Sequence, residues 1–128
     1  FPICENTYGA LAALELARHY VNQKDFAKAT QQLVQAQSQT KDADLLAVVN
    51  LRLARVQLQE NKADDALKTL DAIKLEGWAS QAAEVRGDIL VSKGDNQAAR
   101  DAYNKGLSSN PSQAQQALLR MKLNNLSS

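Results

Sequence analysis

A chain of 128 residues is one domain's worth of polypeptide, enough to bury roughly two-thirds of its unfolded surface. An apolar fraction of 45% is ordinary for a globular protein and excludes disorder. Fifteen basic against fourteen acidic residues leave a net charge of +1, without the concentrated basic excess that nucleic-acid binding needs, and the lone Cys4 can neither close an internal disulfide nor build a metal site.

The filling of the apolar fraction points to helix. Ala and Leu supply most of it, aromatics are only 5%, and two prolines and five glycines interrupt the chain. Residues 1–6 are read as an N-terminal remnant or linker, and with Phe1 in place of an initial Met the chain is expected to be a fragment. No apolar run reaches the roughly 18 residues of a membrane span, and there is no signal-peptide pattern. A first helix is expected from about Thr7 to Asn22. A second, with Asp25 as N-cap, reaches about Ser38. After a polar loop over residues 39–44, a third helix runs to about Gln59. Asn61 is expected to cap a fourth, which ends before Gly77. The fifth begins at Trp78 or Ala79, ends near Ser92 and is closed by Gly94. Asp95 caps the sixth, which Asn110-Pro111 terminates. A seventh follows Ser112, with Ala114, Leu118 and Met121 on one face and Leu119, Leu123 and Leu126 beside them.

These helices repeat. Leu16, Leu53 and Arg86 are separated by 37 and then 33 positions. The same two offsets relate Ala17, Ala54 and Gly87, then Ala29, Ala66 and Ala99, then Leu33, Leu70 and Tyr103, and finally Ala36, Ile73 and Gly106. A period near 34 with two helices per unit is the tetratricopeptide signature. The small columns belong where the two antiparallel helices of a pair cross, and the large Leu33, Leu70 and Tyr103 column fills the space between successive pairs. The expected fold is therefore all-α: a right-handed α-solenoid of three tetratricopeptide-like helix pairs plus a C-terminal capping helix. Within a domain spanning residues 7–128, the repeats cover approximately residues 7–43, 44–77 and 78–111, and the cap residues 112–126. A cap is the better reading of the last helix than a membrane-surface element, since Arg120 and Lys122 are its only basic residues.

Several runs carry a more specific resemblance. Residues 6–12 (NTYGALA), 50–57 (NLRLARVQ), 66–71 (ALKTLD), 76–79 (EGWA), 90–95 (LVSKGD) and 121–127 (MKLNNLS) resemble the periplasmic domain of the YfgM family. This similarity covers residues 6–128, whereas Phe1 to Cys4 do not match it and are assigned no function. Members of that family are ancillary subunits of the bacterial SecYEG translocon, with one membrane-spanning helix and a periplasmic repeat domain. They associate with a membrane-anchored, prolyl-isomerase-like chaperone. The resemblance thus implies a periplasmic domain, held to the inner membrane only through an anchor absent from this chain, that takes part in protein export.

No catalytic constellation is found. His19 is the only histidine, no Cys, Asp or Glu makes up a metal set with it, and no nucleophile elbow, P-loop or dinucleotide motif occurs. Neither an enzymatic activity nor a cofactor is expected. What remains is a protein-binding groove along the inner, concave wall, lined by first-helix residues lying between the packing columns. In the first repeat these are Leu11, Leu14, Arg18, Val21 and Asn22. In the second they are Val48, Leu51, Arg55, Leu58 and Gln59, and in the third Gln81, Glu84, Asp88, Val91 and Ser92. Leu14, Arg18 and Leu51 replace the Lys and Asn residues with which co-chaperone repeats grip a C-terminal carboxylate, so that clamp is absent. An apolar floor flanked by arginines and acids suits an amphipathic helix or an extended segment of a partner, or else a flanking segment of the same protein. Trp78 reads either as a wedge at the junction of the second and third repeats or as a secondary binding anchor. Two functions fit this surface: a module that joins the translocon to a periplasmic chaperone, and a free-standing holdase that takes unfolded clients in the groove.

Overall fold

The computed structural model of the chain describes residues 7–126; the linker reading of residues 1–6, with Cys4, falls outside the described residues. The helices are α1 (Thr7–Asn22), α2 (Phe26–Gln39), α3 (Ala43–Gln59), α4 (Ala63–Asp71), α5 (Ala79–Ser92), α6 (Asn96–Leu107) and α7 (Gln113–Leu126), with a short 3-10 turn at Glu76–Trp78. There is no strand among the described residues. The all-α fold expected from composition and period is the fold that forms. The chain divides into two compact units, Phe1–Ala72 and Ile73–Ser128.

In the first unit, α1 buries Ala10, Ala13, Leu14 and Ala17, a spacing of three and four that makes one helical stripe. Opposite it, α2 buries Ala29, Leu33 and Ala36. Both small-residue columns are therefore inside, with Ala29 and Ala36 fully shielded from solvent. Leu33 belongs to a core that also holds Val49, Leu53 and Val56 of α3, so it fills the space between the first two hairpins. α3 packs against α2 on one side and α4 on the other, and it is buried on most of its circumference. Its one buried amide, Asn50, accepts a 2.6 Å hydrogen bond from Gln37 Nε2 of α2. That bond meets the requirement that a buried polar group keep a partner.

In the second unit, α5 and α6 form a hairpin and α7 packs mainly on α6. Here the crossing column is Gly87 instead of Ala, and the structure gives the reason. A Cβ on Gly87 would come within 2.7 Å of Cζ of Tyr103, inside any tolerable contact. Tyr103 is buried among Ala99, Leu119, Leu90, Leu123 and Leu126, and its hydroxyl donates to Asp88 Oδ1 at 2.6 Å. The large residue of this repeat is thus an aromatic ring anchored at its far end, and the crossing gives up a methyl group to admit it.

The turn inside each hairpin is also repeated. Lys24, Asn61 and Gly94 carry positive φ angles of 61°, 63° and 83° and stand at the same offsets of 37 and 33. Each is followed by a residue whose N–H reaches back to a carbonyl at the end of the preceding helix: Asp25 to Tyr20, Lys62 to Gln57 and Asp95 to Leu90, at 2.8 to 3.0 Å. This is the left-handed closure that satisfies helix C-terminal carbonyls, and glycine is its easiest occupant. Asn61 therefore ends α3; it does not cap α4. The N-cap of α4 is Lys62, which offers no side-chain acceptor, whereas Asp25 and Asp95 accept from Lys28 N and Ala98 N. α4 has only nine residues and stops at Asp71, well short of the limit at Gly77.

Candidate protein-binding cleft

The first unit contains an open cleft of about 300 Å³ lined by Ala17, Arg18 and Val21 of α1, Leu33 of α2, and Arg52, Arg55 and Val56 of α3. Ala17, Leu33 and Val56 are buried core residues whose apolar surface forms the base. Val21, 36% exposed, carries that surface outward along α1. The polar part of the lining consists of three exposed arginines, and no carboxylate lies among the lining residues. Arg52 and Arg55 are three residues apart and so share a face of α3. Arg18 comes from α1, immediately after the small Ala17 that lets the helices approach. The sequence thus builds the cleft from its packing columns, with the arginines following on the solvent side.

Each guanidinium offers a planar fork of donors suited to carboxylates and stays charged at any physiological pH. Within α1, Glu15 approaches Arg18 at 4.0 Å with both side chains largely in water. An exposed pair of that kind contributes little and exchanges readily. The site accordingly combines hydrophobic burial with concentrated positive charge in a protein whose overall charge is near neutral.

The residues expected along the groove fall into distinct groups. Arg18, Val21 and Arg55 line the cleft. Leu11 is 46% exposed on α1, while Val48, Leu51 and Leu58 are half-buried, with Val48 packed on the core of the first unit. Leu14 is a correction: at 5% exposure it is a core residue and not part of a free floor, because its position beside Ala10 and Ala17 turns it toward α2 and α3. Arg52 was absent from the expected wall, although its spacing from Arg55 is a signal that could have placed it there.

Glu84 and Asp88 are corrected as well. Lys122 of α7 reaches both, at 2.8 Å to Glu84 Oε2 and 2.7 Å to Asp88 Oδ2. Gln115 Nε2 donates to Glu84 Oε1 at 2.9 Å, and the Glu84 side chain is only 8% exposed. These acids are not displayed to a partner; they hold the terminal helix on the face of α5 that the repeat pattern assigns to the groove. Val91, near the end of α5, is exposed. Trp78 stands half-buried in the 3-10 turn, its N–H donating to the Leu75 carbonyl at 3.1 Å.

A family model described as tetratricopeptide repeat-like domain matches residues 3–128. The chain belongs to that family. Among curated proteins it is similar to the ancillary SecYEG translocon subunit of Escherichia coli (strain K12), with 54% identity over 123 residues that cover 96% of this chain and 60% of that protein. The subunit of the same name from Haemophilus influenzae (strain ATCC 51907 / DSM 11121 / KW20 / Rd) is 38% identical over 95% of this chain and 59% of its own length. The resemblance to the YfgM family is therefore real, and the chain spans about three-fifths of the length of these relatives. In fold it is similar to the first tetratricopeptide repeat domain of Spaghetti (RPAP3), solved bound to the HSP90 peptide SRMEEVD. The TM-score is 0.77 at 17% identity, covering 98% of this chain and 95% of that one. No helix of the described residues is long and apolar enough to cross a membrane.

Proposed function

We propose that this domain is the protein-binding module of an ancillary translocon subunit, non-catalytic, and that it ties a membrane-anchored, prolyl-isomerase-like chaperone to SecYEG during protein export. In this reading the domain lies in the periplasm and reaches the inner membrane through an anchor outside this chain. The observation that carries the proposal is the cleft of the first unit, with its apolar base of core residues opening beside three arginines, in a chain 54% identical to a translocon subunit. Val91 and Trp78, both in the second unit, offer secondary contacts.

The holdase alternative fits the cleft less well. A client holder must take unrelated unfolded segments, for which a broad and adaptable apolar surface is suited. A cleft of about 300 Å³ set among fixed charges selects a defined segment instead. Affinity purification of the full-length protein from native membranes separates the two. Stoichiometric recovery of the translocon and one chaperone supports the proposal, and a heterogeneous set of clients without either would refute it.

A further inference from the structure

We infer that the exposed apolar face of α1 is a docking surface for a helix, and that its occupant is an amphipathic helix of the same polypeptide, encoded ahead of Phe1 in the full-length protein.

The repeat itself carries the argument. Tyr8, Leu11, Ala12 and Leu16 of α1 are all exposed, Tyr8 at 86% and Leu16 at 46%. Positions 8, 12 and 16 follow at four-residue intervals with 11 beside them, so the four make one apolar stripe. Adding the offset of 37 that relates the first repeat to the second gives Leu45, Val48, Val49 and Leu53 of α3. There the same columns are covered. Val49 and Leu53 are 0% and 3% exposed, and Leu45 and Val48 pack on the same core. Their cover is α2, the second helix of the preceding hairpin, which places Leu33 and Ala36 in that core. α1 thus presents the face on which its counterpart receives a preceding helix, and among the described residues no helix precedes it.

A helix built to end a solenoid reads differently, because terminal elements carry a polar outer face. α7 meets that description: apart from Met121 and two alanines, its exposed positions are Gln113, Arg120, Asn124 and Asn125. The stripe on α1 has the composition of an interior repeat instead.

A second copy of the chain fits the stripe poorly. A stable interface between separate chains buries about 800 Å² on each partner, and four side chains on one helix, the leucines already half covered, fall well short of that. A covalently linked helix needs no such area, since the connection supplies a high effective concentration. α2 reaches α3 through residues 40–42 alone. The chain spans about three-fifths of the length of its curated relatives, which carry ample further polypeptide for one helix and a connection of that length. By analogy with α2, the occupant presents a leucine between small residues at three- and four-residue spacing, as Ala29, Leu33 and Ala36 do.

Two measurements on the purified full-length protein test this. With all other cysteines replaced by Ser, Leu16→Cys should react with a water-soluble maleimide about tenfold or more slowly than Gln35→Cys on the exposed side of α2. A photoreactive benzoylphenylalanine in place of Tyr8, at the open edge of the stripe, should give an adduct within one polypeptide, mapped by mass spectrometry to a peptide ahead of Phe1. Its yield should not change on dilution, and isotope-labelled and unlabelled copies mixed before irradiation should give no mixed adduct. Equal reactivity at positions 16 and 35 would overturn the inference. So would an adduct confined to residues after Phe1, to a second copy, to detergent or to another protein, or no adduct at all. Neither measurement depends on which proteins co-purify with the domain, so the translocon reading stands or falls separately.

Discussion

Replacing Gly87 by Ala should destabilise this protein, and replacing Tyr103 by Leu in the same molecule should reverse the sign of that effect. Two terms of opposite direction act at Gly87. In the interior of α5, Ala is preferred over Gly by about 0.8–1.0 kcal/mol. Against this, the new methyl would meet the Tyr103 ring, with Cζ at 2.7 Å. The ring has little freedom to retreat, since it is 2% exposed and tied to Asp88 by its hydroxyl. Overpacking of this kind costs about 1–3 kcal/mol, so the net loss should reach up to about 2 kcal/mol. With Leu at position 103 the clash disappears and only the helix preference remains. Gly87→Ala should then stabilise by up to about 1 kcal/mol, restoring the small-residue and leucine pairing of Ala17 with Leu33 in the first repeat. Tyr103→Leu by itself should destabilise, through loss of a hydrogen bond to a carboxylate worth about 1.5–3 kcal/mol. Urea titration of the four proteins by far-ultraviolet circular dichroism gives the cycle, and amide exchange in α5 and α6 localises it. If Gly87→Ala has the same sign in both backgrounds, the glycine is not there to admit the ring and the crossing-column argument fails.

Ala66 has no exposed surface on α4, and Ala66→Leu should lower stability by about 1–3 kcal/mol in the same titration; wild-type stability would mean that the repeat register is misplaced. Lys122→Met should cost about 2–4 kcal/mol, because Glu84 and Asp88 would remain on a mostly buried surface without their cation, and amide protection should fall first in α7. Unchanged exchange in α7 would show that Lys122 does not hold the terminal helix.

The repeat was legible because its columns are set by packing. Ala17, Ala29, Leu33, Ala54, Ala66, Leu70, Ala99 and Tyr103 are all buried, as antiparallel pairing at two fixed offsets requires. Less legible were features decided by which atoms meet. Leu14 belongs to the wall by register, yet it faces the core, since a helix stripe wide enough to bury Ala10, Ala13 and Ala17 takes in its neighbour. Glu84 and Asp88 are four residues apart on one face of α5 and so ask for a cation, but nothing local names Lys122, which lies 34 residues beyond Asp88. Asn61 could serve by composition as a cap or as a left-handed C-terminal residue. The recurrence of positive φ at Lys24, Asn61 and Gly94 decides for the second, and no residue type is shared among those three positions to reveal it. Of the cleft, the register reached Arg18, Val21 and Arg55 but passed over Arg52, because position 52 falls beside the wall column and not in it.

The most direct test of the central claim is site-specific photocrosslinking in native membranes, with the full-length protein carrying the photoreactive residue at position 52 in the cleft or at Gln35 on the exposed side of α2. The account predicts a discrete adduct from position 52 to the membrane-anchored chaperone, diminished by Arg18→Glu with Arg55→Glu, and none from position 35. A chaperone adduct from position 35 alone, or one from position 52 that the arginine variants leave intact, would contradict it.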